Sequence, residues 1–390
     1  MAQVKLQVAH WLQARFELSR GGLKENLRCM EGLRGLAVFL VFLTHYNSGN
    51  PMTAGNTNLG AVSRQLAYIG STGVDLFFVL SGFLIYGMVI SRSDGFVSFM
   101  SRRAKRIYPA FIVVLTVYVL LSLAAPEYGK IGGSLHERVL YLAENALLLP
   151  GLFPVKPMIA VSWTLSYEVF YYLAIPLVVT ALALRSRTAV WRVLFFASVA
   201  AAAVIVYCAG YSSHRGDEWG YVQRIRLIMF VAGILCYEAL ESRRIRSPGS
   251  FIGLCCLVVG MLSTFVPGSA MAGNTLHMCI LFVSYSMLCL ACFKEQHGWL
   301  AGLFSQTPLR WFGNMSYSYY LTHNLTLRIA FHEVSRVIPS SGGGPVPYLL
   351  FMPIAFIATL GPALLLYLIV ERPLSLASGT RLKEARVVRA

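Results

Sequence analysis

The sequence predicts an all-α transmembrane bundle of about ten spanning helices, with both termini on the cytoplasmic side. Three observations predict it. The 390-residue chain is 56% hydrophobic and only 13% charged, with a mean hydropathy of +0.62. A soluble domain carries about a quarter charged residues, and half that share leaves too little polar surface to cover a soluble fold. Apolar runs long enough to span a bilayer recur along the chain. The basic residues behind the net charge of +16 gather in alternate short loops, as Lys and Arg do on the cytoplasmic side of a membrane. Topology therefore accounts for the charge, and no nucleic-acid partner is expected.

The runs fall at 33–48, 72–90, 107–125, 162–184, 190–210, 224–241, 250–267, 275–293, 313–333 and 347–370. A further stretch at 138–153 is interrupted by Glu144 and Asn145 and is expected to lie as an outer re-entrant or surface helix. The loop Ser91–Arg106 carries Arg92, Arg102, Arg103, Lys105 and Arg106. Every second loop after it is basic too: Arg185, Arg187 and Arg192, then Arg243, Arg244 and Arg246, then Lys294 and Arg310, then the tail with Arg381 and Lys383. Residues 1–32 are read as a cytoplasmic segment with an amphipathic interfacial helix at 4–18, 33–373 as the transmembrane domain and 374–390 as a basic cytoplasmic tail. Arg34 inside the first run, with no small-x-small site after it, argues against a cleaved signal peptide. The eight cysteines lack metal-site spacing and read as small buried hydrophobes; no metal is expected.

Ionisable residues within spans are costly and mark function by default. In the first run Arg34 and His45 are separated by about three helical turns, roughly 16 Å, and project from one face. Alone, Arg34 also suits a snorkelling anchor and His45 an interhelical hydrogen bond. The second run places Asp75 near its outer end, where a helix N-terminus also favours a carboxylate, followed by Ser81 and Gly82. The fourth places Glu168 about a turn and a half inside Trp163, which itself suits an interfacial belt. Arg224 and Arg226 open the sixth and can snorkel. The ninth holds Asn314, Ser316, Tyr317, Thr322 and His323, the composition of a polar cavity lining or of interhelical contacts. The expected depth map puts His45, Asp75 and Glu168 towards the outside, and Arg34 with Arg102, Arg103 and Arg106 towards the inside. A basic inner mouth suits a polyanionic cytosolic donor. A His–carboxylate cluster suits deprotonation of a hydroxyl, with one carboxylate orienting the imidazole. A proton-coupled transporter or flippase for lipid-linked glycans explains the buried Asp, Glu and His equally well, but internal repeats and broken helices are not found. A scaffold within a polysaccharide-assembly complex is the weakest alternative.

These segments resemble acyltransferase family three, the membrane acyltransferases that act on glycans and some antibiotics. The first run is similar to its Arg-x10-His element, with Arg34 and His45. Gly73-Val-Asp75-Leu-Phe-Phe-Val-Leu-Ser81-Gly82-Phe83 resembles its second-helix motif, and Arg102-Arg103-Ala-Lys105-Arg106-Ile-Tyr-Pro109 its basic loop. Ser162-Trp163-Thr-Leu-Ser-Tyr-Glu168 resembles its Trp-Ser/Thr-Leu-x-x-Glu motif. Arg226-x3-Phe230-x2-Gly233, the stretch from Ser316-Tyr317 to His323, and Glu371-Arg372-Pro373 follow in the family's order. The resemblance implies about ten helices. It implies acyl-coenzyme A, most simply acetyl-coenzyme A, as a cytoplasmic co-substrate with no bound cofactor, and transfer to an acceptor hydroxyl. It also implies that Arg34 and His45 are essential. The expected acceptor is a cell-surface glycan or lipid-linked saccharide, with a macrolide or lipo-oligosaccharide as alternatives, and the expected location is the bacterial inner membrane. Expected roles are catalysis for His45, Glu168 and Asp75, donor binding for Arg34, Arg102, Arg103 and Arg106, and pocket lining for Ser81, Trp163, Arg226, Tyr317 and His323. Val169 stands where many members carry a second acid after the first, which leaves Asp75 to supply one. No stretch corresponds to the extracytoplasmic hydrolase-like domain of some members.

Overall fold

The computed structural model describes residues 10–17, 27–53, 56–92, 95–125, 130–210, 224–266, 270–337 and 344–376. The remainder of the expected N-terminal segment, and the tail from residue 377, lie outside the described residues. Those described are helical with turns between, and no strand occurs among them. A short helix at 10–16 precedes α1 (Arg28–Asn47), α2 (Thr57–Ser91), α3 (Phe96–Ala124), α4 (Leu135–Ala146), α5 (Ser162–Ala181), α6 (Ala189–Gly210) and α7 (Ile228–Glu241). Then come α8 (Ser250–Leu262), α9 (Ala270–Lys294), α10 (Trp299–Phe304), α11 (Thr307–Asn314), α12 (Ser316–Val337) and α13 (Pro345–Leu366). The last continues through π-helical turns over Tyr367–Leu376.

Among the described residues six helices are long and apolar enough to cross a membrane: α2, α3, α5, α6, Ala272–Lys294 within α9, and Pro345–Leu376. The runs at 33–48, 224–241, 250–267 and 313–333 fold as helices outside those six. α7 and α8 are short, at 14 and 13 residues; α1 carries Arg28, Glu31 and Arg34 at one end and Thr44 to Asn47 at the other, and α12 has polar side chains along its length. The stretch at 138–153 folds as the 12-residue α4 and a turn, too short to cross a bilayer.

α1 is the hub, packed against α2, α9, α10, α11, α12 and α13. Leu33, Ala37, Val38 and Phe42 on it are fully enclosed. α2 and α7 approach backbone to backbone. A Cβ on Gly82 would collide with the Phe230 carbonyl, and one on Gly233 with the Val79 carbonyl. Only glycine allows this reciprocal contact.

Several boundaries differ from expectation. α2 begins fifteen residues before the run at 72, because Asn56 caps it by accepting from the Leu59 N–H at 2.9 Å and residues 57–71 contain no proline. Asp75 therefore sits mid-helix rather than at an N-terminus. Arg102–Arg106 form no loop, since α3 starts at Phe96. Glu371-Arg372-Pro373 lies within the π-helical continuation of α13 rather than beyond the last helix. The N-terminal helix at 10–16 docks onto the bundle through its last residues. Phe16 is buried, stacked on Trp311 and Tyr367 at 5.5 and 5.4 Å, and Asn314 donates to its carbonyl at 3.0 Å.

Candidate active site

α1 and α12 run in the same direction, because Arg34 meets Ser316 and His45 meets His323 further along both helices. The Arg34 guanidinium donates to the Ser316 hydroxyl at 3.0 Å and lies over the Phe77 ring at 5.8 Å. Its Nε is buried without a hydrogen-bond partner. Beside it is a cavity of about 70 Å³ whose lining includes Ser81, Thr164, Glu168, Tyr317 and Tyr320. Tyr172 donates to Glu168 from one turn along α5.

Glu168 thus lies at the level of Arg34, not with His45 as the expected depth map had it. Counting inward from Trp163 assumed that α5 starts at the membrane surface. Instead its first turn is already inside the protein. Met158, Ile159 and Val161 before it are buried, as are Ser162, Thr164 and Ser166. Trp163 packs edge-on against Tyr167 and Phe78 at 5.6 and 6.4 Å. The preceding loop closes over it at Gly151, whose φ of +93° favours glycine.

Asp75 is fully buried and committed elsewhere. Its Oδ2 accepts from the Arg226 Nη1 at 2.6 Å, and that guanidinium also donates to the Ser71 carbonyl at 3.2 Å. Arg226 is buried, so it does not snorkel. Close by, Tyr285 donates to Thr72 at 2.7 Å, giving α9 a polar contact with the same stretch of α2.

His45 is partly buried and makes no hydrogen bond with another described residue. Its ring neighbour is His323, with centroids 5.0 Å apart. His323 is fully enclosed, and its Nδ1 lies 3.0 Å from the Tyr319 carbonyl. A carbonyl only accepts, so Nδ1 carries the proton and the buried, unpartnered Nε2 keeps a lone pair. Neither Glu168 nor Asp75 hydrogen-bonds the His45 imidazole.

The basic cluster of α3 divides. Arg106 forms an ion pair with fully buried Glu371 at 2.9 Å, and Glu371 also accepts from the Ser318 N–H and hydroxyl at 3.1 and 2.6 Å. Arg103 lies over the Phe99 and Tyr172 rings at 5.3 and 5.5 Å. Arg102 and Lys105 are exposed, with Arg102 donating to Ser98 at 2.7 Å. Tyr317 donates to the Ile107 carbonyl at 2.8 Å, joining α12 to α3. Among the described residues no cluster of His, Cys, Asp and Glu suits a metal ion.

Sequence reasoning did not single out Ser316 as the partner of Arg34, or Glu371 as a buried acid of the site. Both stand inside quoted motifs, but their partners are distant in the chain and no local spacing reveals the pairing.

The model of a protein family described as an acyltransferase domain matches residues 27–368. Acyltransferase MdmB of Streptomyces mycarofaciens is 26% identical over 78% of this chain and 79% of its own length. Exopolysaccharide production protein ExoZ of Rhizobium meliloti is 26% identical over 78% of this chain and 90% of its own. Peptidoglycan O-acetyltransferase OatA of Listeria monocytogenes is 24% identical over 75% of this chain but 48% of its own, so the chain spans about half of that relative. No solved structure matches.

Proposed function

From the premise that the chain belongs to acyltransferase family three, and is an acyltransferase moving groups other than aminoacyl groups, we propose that it is a bacterial inner-membrane O-acyltransferase. It takes an acyl group, most simply acetyl, from cytoplasmic acyl-coenzyme A to a hydroxyl of a surface glycan or lipid-linked saccharide. The relatives named for exopolysaccharide production and peptidoglycan O-acetylation support that acceptor class. About ten helices take part in crossing the bilayer, with both termini cytoplasmic.

The observation that carries this reading is the line from Arg34 to His45 along one face of α1, with a cavity at one end and an unbonded imidazole at the other. Exposed Arg102 and Lys105 meet the donor's phosphates, while Arg103 and Arg106 hold the inner mouth in shape. The donor's arm threads the cavity past Arg34, whose unpartnered Nε is a ready donor to it, and carries the thioester on to His45 at the other end of the line. His45 takes the proton of the acceptor hydroxyl as the oxygen attacks the acyl carbon. The C–O bond forms, the C–S bond breaks, and the proton passes to the departing thiolate. His323, held in one tautomer by Tyr319, offers Nε2 as the acceptor that steadies His45 when it is charged. Glu168, beside Arg34, balances the guanidinium.

The test uses purified protein in lipid nanodiscs with acetyl-coenzyme A and a saccharide acceptor, following thiol release. His45→Ala is expected to lower kcat by about 100-fold or more with membrane insertion unchanged. Full activity in that variant sinks the mechanism. His323→Phe is expected to lower kcat while leaving the KM for the donor in place. An acyl group trapped on His45 by labelled donor would replace the general base with a covalent relay.

A further inference from the structure

The α3–α12 contact has an outer counterpart to the Tyr317–Ile107 hydrogen bond. Eleven residues beyond each partner, about three turns and roughly 16 Å along each helix, stand Arg328 on α12 and Tyr118 on α3. Tyr317, Tyr320, Asn324 and Arg328 are spaced three and four apart, so they form one stripe of α12. Its first two members line the cavity beside Arg34. His45 sits the same three turns beyond Arg34 on α1. The outer end of this stripe therefore faces the place where acyl transfer ends.

The polar groups there are poorly satisfied. Among the described residues neither the buried Tyr118 hydroxyl nor the buried His323 Nε2 has a hydrogen-bond partner. Among the described residues Asn324 and Arg328 hydrogen-bond to nothing through their side chains, and Arg328 is exposed. Glu333, the nearest acid along α12, pairs with Arg336 instead, at 3.4 Å. The charge of Arg328 reaches His45, the Tyr118 hydroxyl and Lys130. Lys130 adds a second cation. Its ammonium donates to the Pro157 and Met158 carbonyls at 2.9 and 3.1 Å, and burial, with Arg328 nearby, holds it below the usual lysine range. Buried polar atoms without partners are rare in folded proteins and call for a ligand or water. An unpaired guanidinium over them calls for an anion.

We propose that this outer cluster binds an acidic acceptor, a saccharide bearing a carboxylate or phosphate, with Arg328 engaging the acid while His45 and Tyr118 face its hydroxyls. The proposal deepens the acyl-transfer reading by naming the acceptor's charge, and it rests on that reading only for what happens after binding. A neutral sugar leaves Arg328 unpaired, so the cluster discriminates by charge before any chemistry begins.

The test is a binding titration on the full chain in phosphatidylcholine nanodiscs, with a glucuronate-containing disaccharide and its matching neutral glucose disaccharide. The acidic sugar is expected to bind about tenfold more tightly or better, as one charge-assisted contact implies. Arg328→Gln is expected to erase that preference and Arg328→Lys to keep most of it. Equal binding of the two sugars, or a preference that survives Arg328→Gln, overturns the proposal. So does a preference abolished by adding phosphatidylglycerol to the discs, which would assign Arg328 to a lipid headgroup. Thiol release from acetyl-coenzyme A in the same discs is scored separately. Its absence with every acceptor would count against acyl transfer and leave the binding preference standing.

Discussion

At the scale of single residues, the site is governed by which buried charges have partners. Glu371 is fully enclosed and holds two Ser318 donors and Arg106. Arg106→Met leaves that carboxylate without its cation, a loss of about 3–5 kcal/mol for a broken buried pair. The expected result is a clear fall in the midpoint of thermal unfolding in detergent. The double variant Arg106→Met, Glu371→Gln is expected to recover most of it, since removing both charges removes the uncompensated one. If single and double variants melt together, the pair does not hold the inner mouth. Asp75 and Arg226 follow the same logic between α2 and α7. Asp75 was legible in the sequence as a costly intramembrane acid, yet its partner was not. A carboxylate announces that it needs a cation, but not which one, when the cation lies 151 positions away.

At the scale of elements, contact between backbones sets the geometry. α2 and α7 meet at Gly82 and Gly233, where a Cβ would overlap a carbonyl of the other helix. Gly82→Ala is expected to push the helices apart at a cost of about 1–3 kcal/mol, lowering the melting point and disturbing the adjacent Ser81 that lines the cavity. An unchanged melting point would mean that the helices slide past each other freely there. α4 shows an element fixed by its cap. Ser134 and Glu137 form a reciprocal capping box, and the Ser134 N–H and hydroxyl hold the Glu137 carboxyl below its usual range. A depressed carboxyl stabilises its helix above the unfolded value and loses that contribution as the pH falls through the depressed one. The protection of α4 amides, once exchange is corrected for its intrinsic pH dependence, is therefore expected to fall below about pH 4 and to stay constant near neutrality. Boundaries such as those of α2, α3 and α5 were the least legible features. Hydropathy reports how deep residues lie in lipid, whereas a helix ends where capping and chain geometry end it.

At the scale of the whole molecule, helical class and membrane character were readable from composition, because too few charges remain to clothe a soluble fold. The pairing of Arg34 with His45 on one face was readable from the helical period. The depth of Glu168 was not, since it depends on the segment before α5 being folded inside the protein. Nor was the His45–His323 pairing, which joins helices 278 residues apart by their numbering. The contacts of α1 also impose an order on synthesis. Arg34 and Glu31 belong to the first of the long helices to leave the ribosome, yet Arg34 waits 282 residues for Ser316 and Glu31 waits 279 for Arg310. At about 5–20 residues per second, that is roughly 15–60 s with Glu31 lacking its cation and Arg34 its hydroxyl partner. During that interval α1 is a poor resident of lipid, held by whatever the insertion machinery or α2 provides. A chain ended before α11 is expected to leave α1 extractable by alkaline carbonate, and one ended after α12 to leave it resistant. The last third of the protein is thus what anchors its beginning.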